Sequence, residues 1–579
     1  MGLINNPTTR RKLVSFISRF NSPLCVICYV VGLLGFLALA YAPYNAKTYF
    51  SENALLPGWF SWAFNRIPAA WFESKFRSIG VDTHVQNFTF EYPEGLVKDQ
   101  RFPGQNVYGI LRAPRAASTE ALVMTAPYRP LDSAEKTAGG IALMLSLANA
   151  FRKKTYWAKD IIFLVTEFDQ LGMKAWLNAY HHCPTPYIHA GELTGRSGAI
   201  QAAINIEIAG DSISSFNIKS EGLNGQLPNL DLINTVVLLC HHGSITPTVH
   251  ERADHLKPAS QSGFIHSLQT MMLMMMTQAS GSPSGNHGLF LPFHIEAVTI
   301  QGVKMKTGQR FSLNKIGDVV EGLFRSLNNL LERFHQSFFF YLLPATERYV
   351  SIGLYMPPFG VMALPLIIKV SDRGLLPLLP SLILSTFFGI LSFNTTRFFV
   401  ESAEAFHLSA SDSILLGALA ILIAAIAYPK LLKRKSPTSG ADWRLMKCMG
   451  LLATALVLGA LALMNISLAY FVAAVWTPVL VTAKPHGNRF AQLLQVVLLL
   501  AVSPLFLICV ASFAYTLIFT KVASDPRQVM TQSLDLASKG FFSSVMDFHL
   551  FGNWTFALYS CAFVPIWALF WGLIWTPAF

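Results

Sequence analysis

The sequence predicts an α/β domain on a largely parallel mixed sheet, followed by an all-α domain that crosses a membrane several times. Three observations predict it. Leu24–Ala42 runs nineteen residues without a charge, enough for one helix to cross a bilayer core of about 30 Å. Residues 43–340 alternate short β-branched runs with helical patterns, the signature of strands buried on both faces and covered by helices. From Phe338 onward, apolar stretches of membrane-spanning length follow one another. The composition agrees: of 579 residues, 52% are hydrophobic and 13% charged, about half the charged share of a soluble domain.

The elements follow in order. Arg10, Arg11, Lys12 and Arg19 precede the first apolar run, so the positive-inside rule puts residues 1–23 in the cytosol and makes 24–42 an uncleaved first span. Residues 43–340 then form the lumenal domain. The sequon Asn87-Phe-Thr89 fits that location. Candidate strands are Val107–Leu111, Ala121–Ala126, Asp160–Thr166, Ala202–Ile208, Phe216–Ser220 and Ala297–Ile300, with helices near 134–152, 170–181, 230–241, 264–279 and 312–334. Phe338–Leu343 reads as an amphipathic helix that re-enters the membrane.

Residues 341–579 hold seven further spans, near 349–368, 375–394, 411–428, 448–466, 468–483, 491–519 and 555–576. Eight spans in all return the C-terminus to the cytosol. The basic loops around Lys369, Lys430–Lys435 and Lys484 fall on the cytosolic side. That distribution also explains the formal net charge of +12 without nucleic acid. The seven cysteines form no metal-ligand cluster, because most lie in or beside apolar runs. Cys183 and Cys240, in the lumenal stretch, could pair or stay free.

Three stretches resemble a di-zinc aminopeptidase in order and spacing. Leu122–Pro127 leads to a helix at Ala138-Gly-Gly. Phe163–Asp169 is a strand running into an acidic turn. Ile204-Asn-Ile-Glu207 is followed by Gly285-Asn-His287 and Ile295–Gly302. Such enzymes hold metals with His and carboxylates at the C-terminal edge of the sheet. Here Pro127-Tyr128-Arg129 stands where the family has His-x-Asp, Lys136 (with Glu135 beside it) where it has a bridging Asp, and Asp169-Gln170 or Glu167-Phe168 where it has a carboxylate pair. Glu207 and His287 alone stand at ligand positions, one short of the three protein ligands of a catalytic zinc. No cofactor is therefore required and zinc is not expected. Glu207, a carboxylate in an apolar strand, needs a partner: a single Mg²⁺ or Ca²⁺, a substrate amine, or a neighbouring base.

Three longer stretches carry a second resemblance: Asn106–Glu120, Glu221–Asp231, and His335–Phe338 with Val350–Pro357. They resemble the glycosylphosphatidylinositol anchor attachment 1 family. The resemblance implies a subunit of the GPI transamidase of the endoplasmic reticulum. That complex cleaves a C-terminal signal from a proprotein and joins the new carboxyl end to the ethanolamine amine of a GPI lipid. It further implies that another subunit, a caspase-like cysteine protease, supplies the nucleophile, and no Cys–His pair is evident here. Given that resemblance, Tyr49 and Ser51 beyond the first span, and His335, Gln336 and Ser337 before the second, share one interfacial depth. Their hydroxyl, amide and imidazole groups suit a lipid headgroup's phosphates and glycans. The expected function is a non-catalytic, GPI-binding subunit. The alternatives are a metal-assisted hydrolase or amide-bond-forming enzyme using Glu207, His287 and Asp169, and a pure assembly scaffold.

Overall fold

The computed structural model describes residues 21–47, 67–91, 101–115, 117–129, 137–304, 310–335, 337–368, 383–394, 409–432, 442–519 and 526–576. Fourteen strands are seen among them: β1 (Ala46–Lys47), β2 (Asp82–Glu91), β3 (Arg101–Leu111), β4 (Glu120–Pro127), β5 (Asp160–Thr166), β6 (Ile188–Ala190), β7 (Ala199–Ile208), β8 (Ser212–Ile213), β9 (Ser215–Lys219), β10 (Thr246–Val249), β11 (Glu296–Val303), β12 (Phe311–Ser312), β13 (Tyr341–Ala345) and β14 (Arg348–Ser351). Nine of them make one sheet in the order β10-β9-β11-β7-β4-β5-β3-β2-β6. Its centre is parallel, with β11, β7, β4 and β5 running together. Both flanks turn antiparallel, at β9 on one side and at β3 and β2 on the other. The parallel strands are the apolar runs read from the sequence. The seven residues of β5 are all buried, as expected of strands covered on both faces.

Helices α1 (Asn21–Ala38), α2 (Ala69–Ile79), α3 (Ala138–Arg152), α4 (Gln170–His181), α5 (Leu230–His242), α6 (Gln261–Ser280) and α7 (Leu313–Asn328) are interleaved with these strands. The later helices are α8 (Ile352–Ile368), α9 (Ile383–Asn394), α10 (Ala410–Leu432), α11 (Asp442–Met464), α12 (Ile466–Thr482), α13 (Arg489–Ala501), α14 (Pro504–Phe519), α15 (Pro526–Phe551) and α16 (Thr555–Leu573), the last containing one π-turn at Tyr559–Phe563. Among the described residues, three helices are long and apolar enough to cross a membrane: Ser411–Pro429, Trp443–Met464 and Thr555–Leu573. A fourth span is added if α13 and α14, bent by 65° at a short break, count as one. The apolar stretches expected at 24–42, 349–368, 375–394 and 468–483 carry helices of 10–17 residues among the described ones, at Ser22–Ala38, Ile352–Ile368, Ile383–Asn394 and Ile466–Thr482. Residues 369–382 lie outside the described ones.

One expectation is corrected outright. Phe338–Leu343 is not an amphipathic helix: Tyr341–Ala345 is β13, in a three-stranded sheet ordered β1-β14-β13. Tyr341, Leu342 and Leu343 are all fully buried, so the segment has no polar face to offer water. Pairing with β14 satisfies its backbone instead. The helix α15 was not anticipated, because its polar residues break the apolar pattern.

The helix ends face the α/β domain in alternation. Phe36 of α1 stacks on Tyr470 of α12 at 3.9 Å, and the Tyr29 hydroxyl donates to the Ala474 carbonyl at 2.6 Å, so α1 and α12 run antiparallel. The Arg348 guanidinium donates to the Ala42 carbonyl (2.6 Å) and to Asn45 Oδ1 (3.1 Å), tying the end of α1 to the strand that leads into α8. A polar seam joins the two halves further along. Gln278 of α6 donates to the Gly225 carbonyl (2.9 Å), accepts from the Ser467 hydroxyl (2.5 Å), and its carbonyl accepts from Asn465 Nδ2 (2.7 Å). Asn465 also caps α12 by accepting from the Leu468 amide at 3.0 Å. Beyond it, Asn224 bonds the backbone of Gly552 and Trp554, and Ser282 donates to Asp547.

Gln278→Leu would leave the Ser467 hydroxyl and the Gly225 carbonyl unpaired, each at a cost on the order of 1–3 kcal/mol. Thermal unfolding of the full chain in detergent should show a clear drop in midpoint. Gln261→Leu, at an exposed position of the same helix, should leave the midpoint nearly unchanged.

Candidate functional site

The C-terminal ends of β4, β5 and β7 converge where open α/β sheets hold their ligands. Just past β4 stands Arg129, past β5 stands Asp169, and near the end of β7 stands Glu207; Lys219 ends β9, on the far side of β11 from β7. All four are buried or nearly so, Lys219 and Glu207 to within 2% of complete side-chain burial. Lys219 Nζ donates to Glu207 Oε2 at 3.0 Å. Arg129 Nη2 lies 3.4 Å from Glu207 Oε1, and Arg129 Nε lies 3.1 Å from both oxygens of Asp169. Two cations and two carboxylates thus close on one another. Such a cluster offsets its desolvation only because each charge faces an opposite one.

A neutral layer surrounds the cluster. Asn205 donates to Glu207 Oε1 (3.0 Å) and to the Thr299 hydroxyl (2.9 Å), and that hydroxyl meets His287 Nδ1 at 2.9 Å. Glu207 and His287 are therefore brought into one network, as their order in the sequence suggested. His287 is completely buried. Burial, reinforced by the positive charge of Lys219, pushes its pKa down to about 3, so it is neutral at physiological pH. Burial alone would raise the Glu207 carboxyl, but Lys219 and Arg129 overcome it and hold the group down to about 2. Phe168 and Asp169 both adopt left-handed backbone, with φ of 57° and 48°. Non-glycine residues rarely hold that conformation, and here it turns Asp169 toward Arg129.

The two alternatives left for the acidic pair separate cleanly. Glu167 accepts from the backbone amides of Ile67 (2.8 Å) and Gln105 (2.7 Å), pinning the start of the described α/β domain to its sheet. Asp169 is the carboxylate that faces the cluster. The sequence reading missed Lys219, Asn205 and Thr299. The available signal was Lys219 itself, because a lysine in a strand of buried residues requires a carboxylate partner.

The other sequence-derived positions are scattered. Tyr49, Ser51, Gln336, Glu135 and Lys136 lie outside the described residues. His335 is exposed, with Nδ1 2.8 Å from the Arg333 carbonyl. Ser337 is half-buried, and the ring of its neighbour Phe338 packs on Tyr349, the partner of Ala46 across the small sheet. The seven cysteines are all free, Cys183 exposed and Cys240 buried, so those two do not pair.

The family model described as Gaa1-like, GPI transamidase component, matches residues 103–571. The chain belongs to this family. The GPI transamidase component gaa1 of Schizosaccharomyces pombe is 34% identical over 294 residues, covering 50% of this chain and 49% of that protein. The GPI transamidase component GAA1 of Saccharomyces cerevisiae is 31% identical over 378 residues, covering 62% and 58%. The chain thus spans about half the length of these curated relatives. Among solved structures, a Porphyromonas gingivalis glutaminyl cyclase matches with a TM-score of 0.28 at 13% identity, covering 52% of this chain and 98% of that one. A zinc aminopeptidase from Bacillus subtilis matches with a TM-score of 0.30 at 10% identity, covering 52% and 95%.

The donor set fits a cation poorly. Both oxygens of Glu207 already accept from Lys219, Arg129 and Asn205, and an added Mg²⁺, Ca²⁺ or Zn²⁺ would sit against two fixed positive charges. Among the described residues, no group of three His, Cys, Asp or Glu side chains could hold a metal ion. The base that Glu207 requires is supplied by the protein itself.

Lys219→Met should cost about 3–5 kcal/mol by leaving a buried carboxylate half-paired. Adding Glu207→Leu should recover part of that loss, since Arg129 keeps Asp169; unfolding midpoints of the single and double variants check this. The pH dependence has a definite sign. The Glu207 pKa is depressed on folding from 4.5 to about 2, so its stabilisation is present above the unfolded pKa and is lost as pH falls from 4.5 towards 2. His287, depressed from 6.5 to about 3, acts in the same direction between those values. His287→Asn should flatten the stability profile between pH 6.5 and 3, read from thermal midpoints across a buffer series.

Proposed function

We propose that this chain is a non-catalytic subunit of the GPI transamidase complex that binds GPI lipid and helps present it for attachment to the C-terminus of proproteins. The observation that carries the reading is the closed charge cluster on a chain of this family. Where a sheet of this kind would offer ligands for a catalytic metal, Glu207 is committed to Lys219 and Arg129, and His287 is neutral and hydrogen-bonded to Thr299. A site neutralised from within has no general base near neutral pH and no open position for a water. On this reading the nucleophile belongs to another subunit, a caspase-like cysteine protease.

The chain is read as a multi-pass protein of the endoplasmic reticulum membrane, with a lumenal α/β domain and cytosolic termini. The alternation of helix ends supports it. The end of α1, the start of α8, the α11–α12 turn and the start of α16 all meet the α/β domain. The first and last helices therefore point their other ends away from it. GPI lipid contact is assigned to Tyr49, Ser51, His335, Gln336 and Ser337. In support, β1 and β14 pair Ala46 with Tyr349, against which Phe338 packs, so described residues close in sequence to both segments meet at one small sheet.

The test is photo-cross-linking of a GPI analogue to the assembled complex. The combined Tyr49→Ala, Ser51→Ala and His335→Ala variant should lose most of the label while the complex still assembles. Unchanged labelling would favour a pure scaffold. A second measurement addresses the enzymatic alternative: stoichiometric zinc in the purified chain, lost together with transamidation on Glu207→Gln, would overturn the non-catalytic reading.

A further inference from the structure

Helix α6 is 20 residues long, roughly 30 Å at 1.5 Å per residue, and both its ends are fixed to helix ends of the apolar bundle. Near its start the Phe264 ring meets Tyr41, just past α1, at 6.0 Å. Near its end Gln278 bonds Asn465 and Ser467 at the start of α12. Since α1 and α12 run antiparallel side by side, the end of one and the start of the other lie on the same face of the bundle. A helix anchored at both places lies along that face rather than along the bundle axis.

What α6 presents there is mixed. Its inner side carries the buried Met271, Met274 and Met275. On its outer side Ile265 is 47% exposed, and the loop that packs on its first turn exposes Leu256 to 99%. Tyr44, 60% exposed, stands beside Tyr41, and the flanking lysines Lys47 and Lys257 are exposed. A leucine exposed to 99% is costly in water, and aromatic and basic side chains gathered beside apolar ones are the composition of a membrane–water boundary.

We propose that α6 and the Leu256 loop lie in the boundary of the leaflet where α1 ends, with Leu256 and Ile265 in contact with phospholipid and Lys47 and Lys257 on its phosphates. The occupant follows from position. The outward apolar residues of α1, Val30, Val31 and Leu34, lead along the bundle surface to Tyr41 and Tyr44 and so to this platform. The α/β domain is then seated on the bilayer by a helix of its own, independently of the seam that binds it to the bundle and of any role in GPI attachment.

The experiment uses the full chain in phospholipid nanodiscs, with a photo-reactive phenylalanine analogue in place of Leu256, Ile265 or Lys154. Lys154 is exposed beside the opposite, N-terminal edge of the parallel strands and serves as the control. Leu256 carries no buried contact and tolerates the exchange without refolding the domain. Illumination and mass spectrometry should show lipid adducts at 256 and 265 in several-fold excess over 154. Adducts no more frequent than at 154 overturn the proposal. So does the replacement of lipid adducts by polypeptide adducts when the same variants are illuminated in native membranes.

Discussion

Gln278 uses its amide nitrogen, its amide oxygen and its backbone carbonyl in three bonds, to Gly225, Ser467 and Asn465. Two of these partners belong to the helical half of the chain and one to a glycine turn of the α/β half. The rest of the architecture depends on this shared set of hydrogen bonds. None of the groups can reach water, since Gln278, Asn465 and Ser467 are almost completely buried, so a shift of either half leaves several polar atoms unpaired at once. Geometry is demanding as well: a side chain on Gly225, at φ 77°, would collide with Asn465. A buried polar contact of this sort specifies one orientation where apolar packing alone would accept several.

The seam also runs directly into the charge cluster. The loop that leaves α6 at Gly281 donates from Ser282 to Asp547, accepts at the Pro283 carbonyl from Gln170, and then delivers His287 beside Thr299. Six residues therefore connect the helical bundle to the edge of the sheet. The residues at that edge are themselves electrically closed. Arg129, Asp169, Glu207 and Lys219 sum to no net charge, and Glu207 is kept ionised by its neighbours rather than by solvent. By contrast Glu296, with only the Asn229 amide to offset burial, is pushed up to about 7. The same sheet thus holds one carboxyl locked in its charged form and another poised near neutrality, and the difference is the presence of paired cations.

Much of this was legible from residue order, and the limits have physical causes. The six apolar strands and five helices of the α/β domain declared themselves because burial on both faces leaves a continuous apolar run. β2 did not, since its exposed and buried residues are mixed and its place comes from pairing with β3 over ten positions. Glu207 stood out as a charge in an apolar strand. Its answer, Lys219, showed only as a lone lysine in a buried strand, because the antiparallel pairing of β9 with β11 that brings it to Glu207 is a tertiary feature. The hairpin of β13 and β14 was hidden for a similar reason: its apolar residues fit a membrane-seeking helix until a partner strand is supplied. The expected spans rested on apolar runs alone, so the cap that starts α12 at Asn465 went unread and the helix was placed two residues late, from 468 instead of Ile466.

The link between Arg348 and Ala42 joins residues 306 positions apart, and α1 packs closely against α8, with no room for a side chain at Gly32 against Met362. Translation therefore releases the first helix long before its partner exists. Throughout that interval α1 has neither α8 nor α12 to cover its packing face, while the α/β domain between them emerges and folds. Closing so long a loop is entropically slow, and the folded domain shortens it by bringing Asn45 to Arg348. The α/β domain is thus a spacer as well as a fold: by bringing the two ends of its own chain together, it sets the helices on either side of it in register.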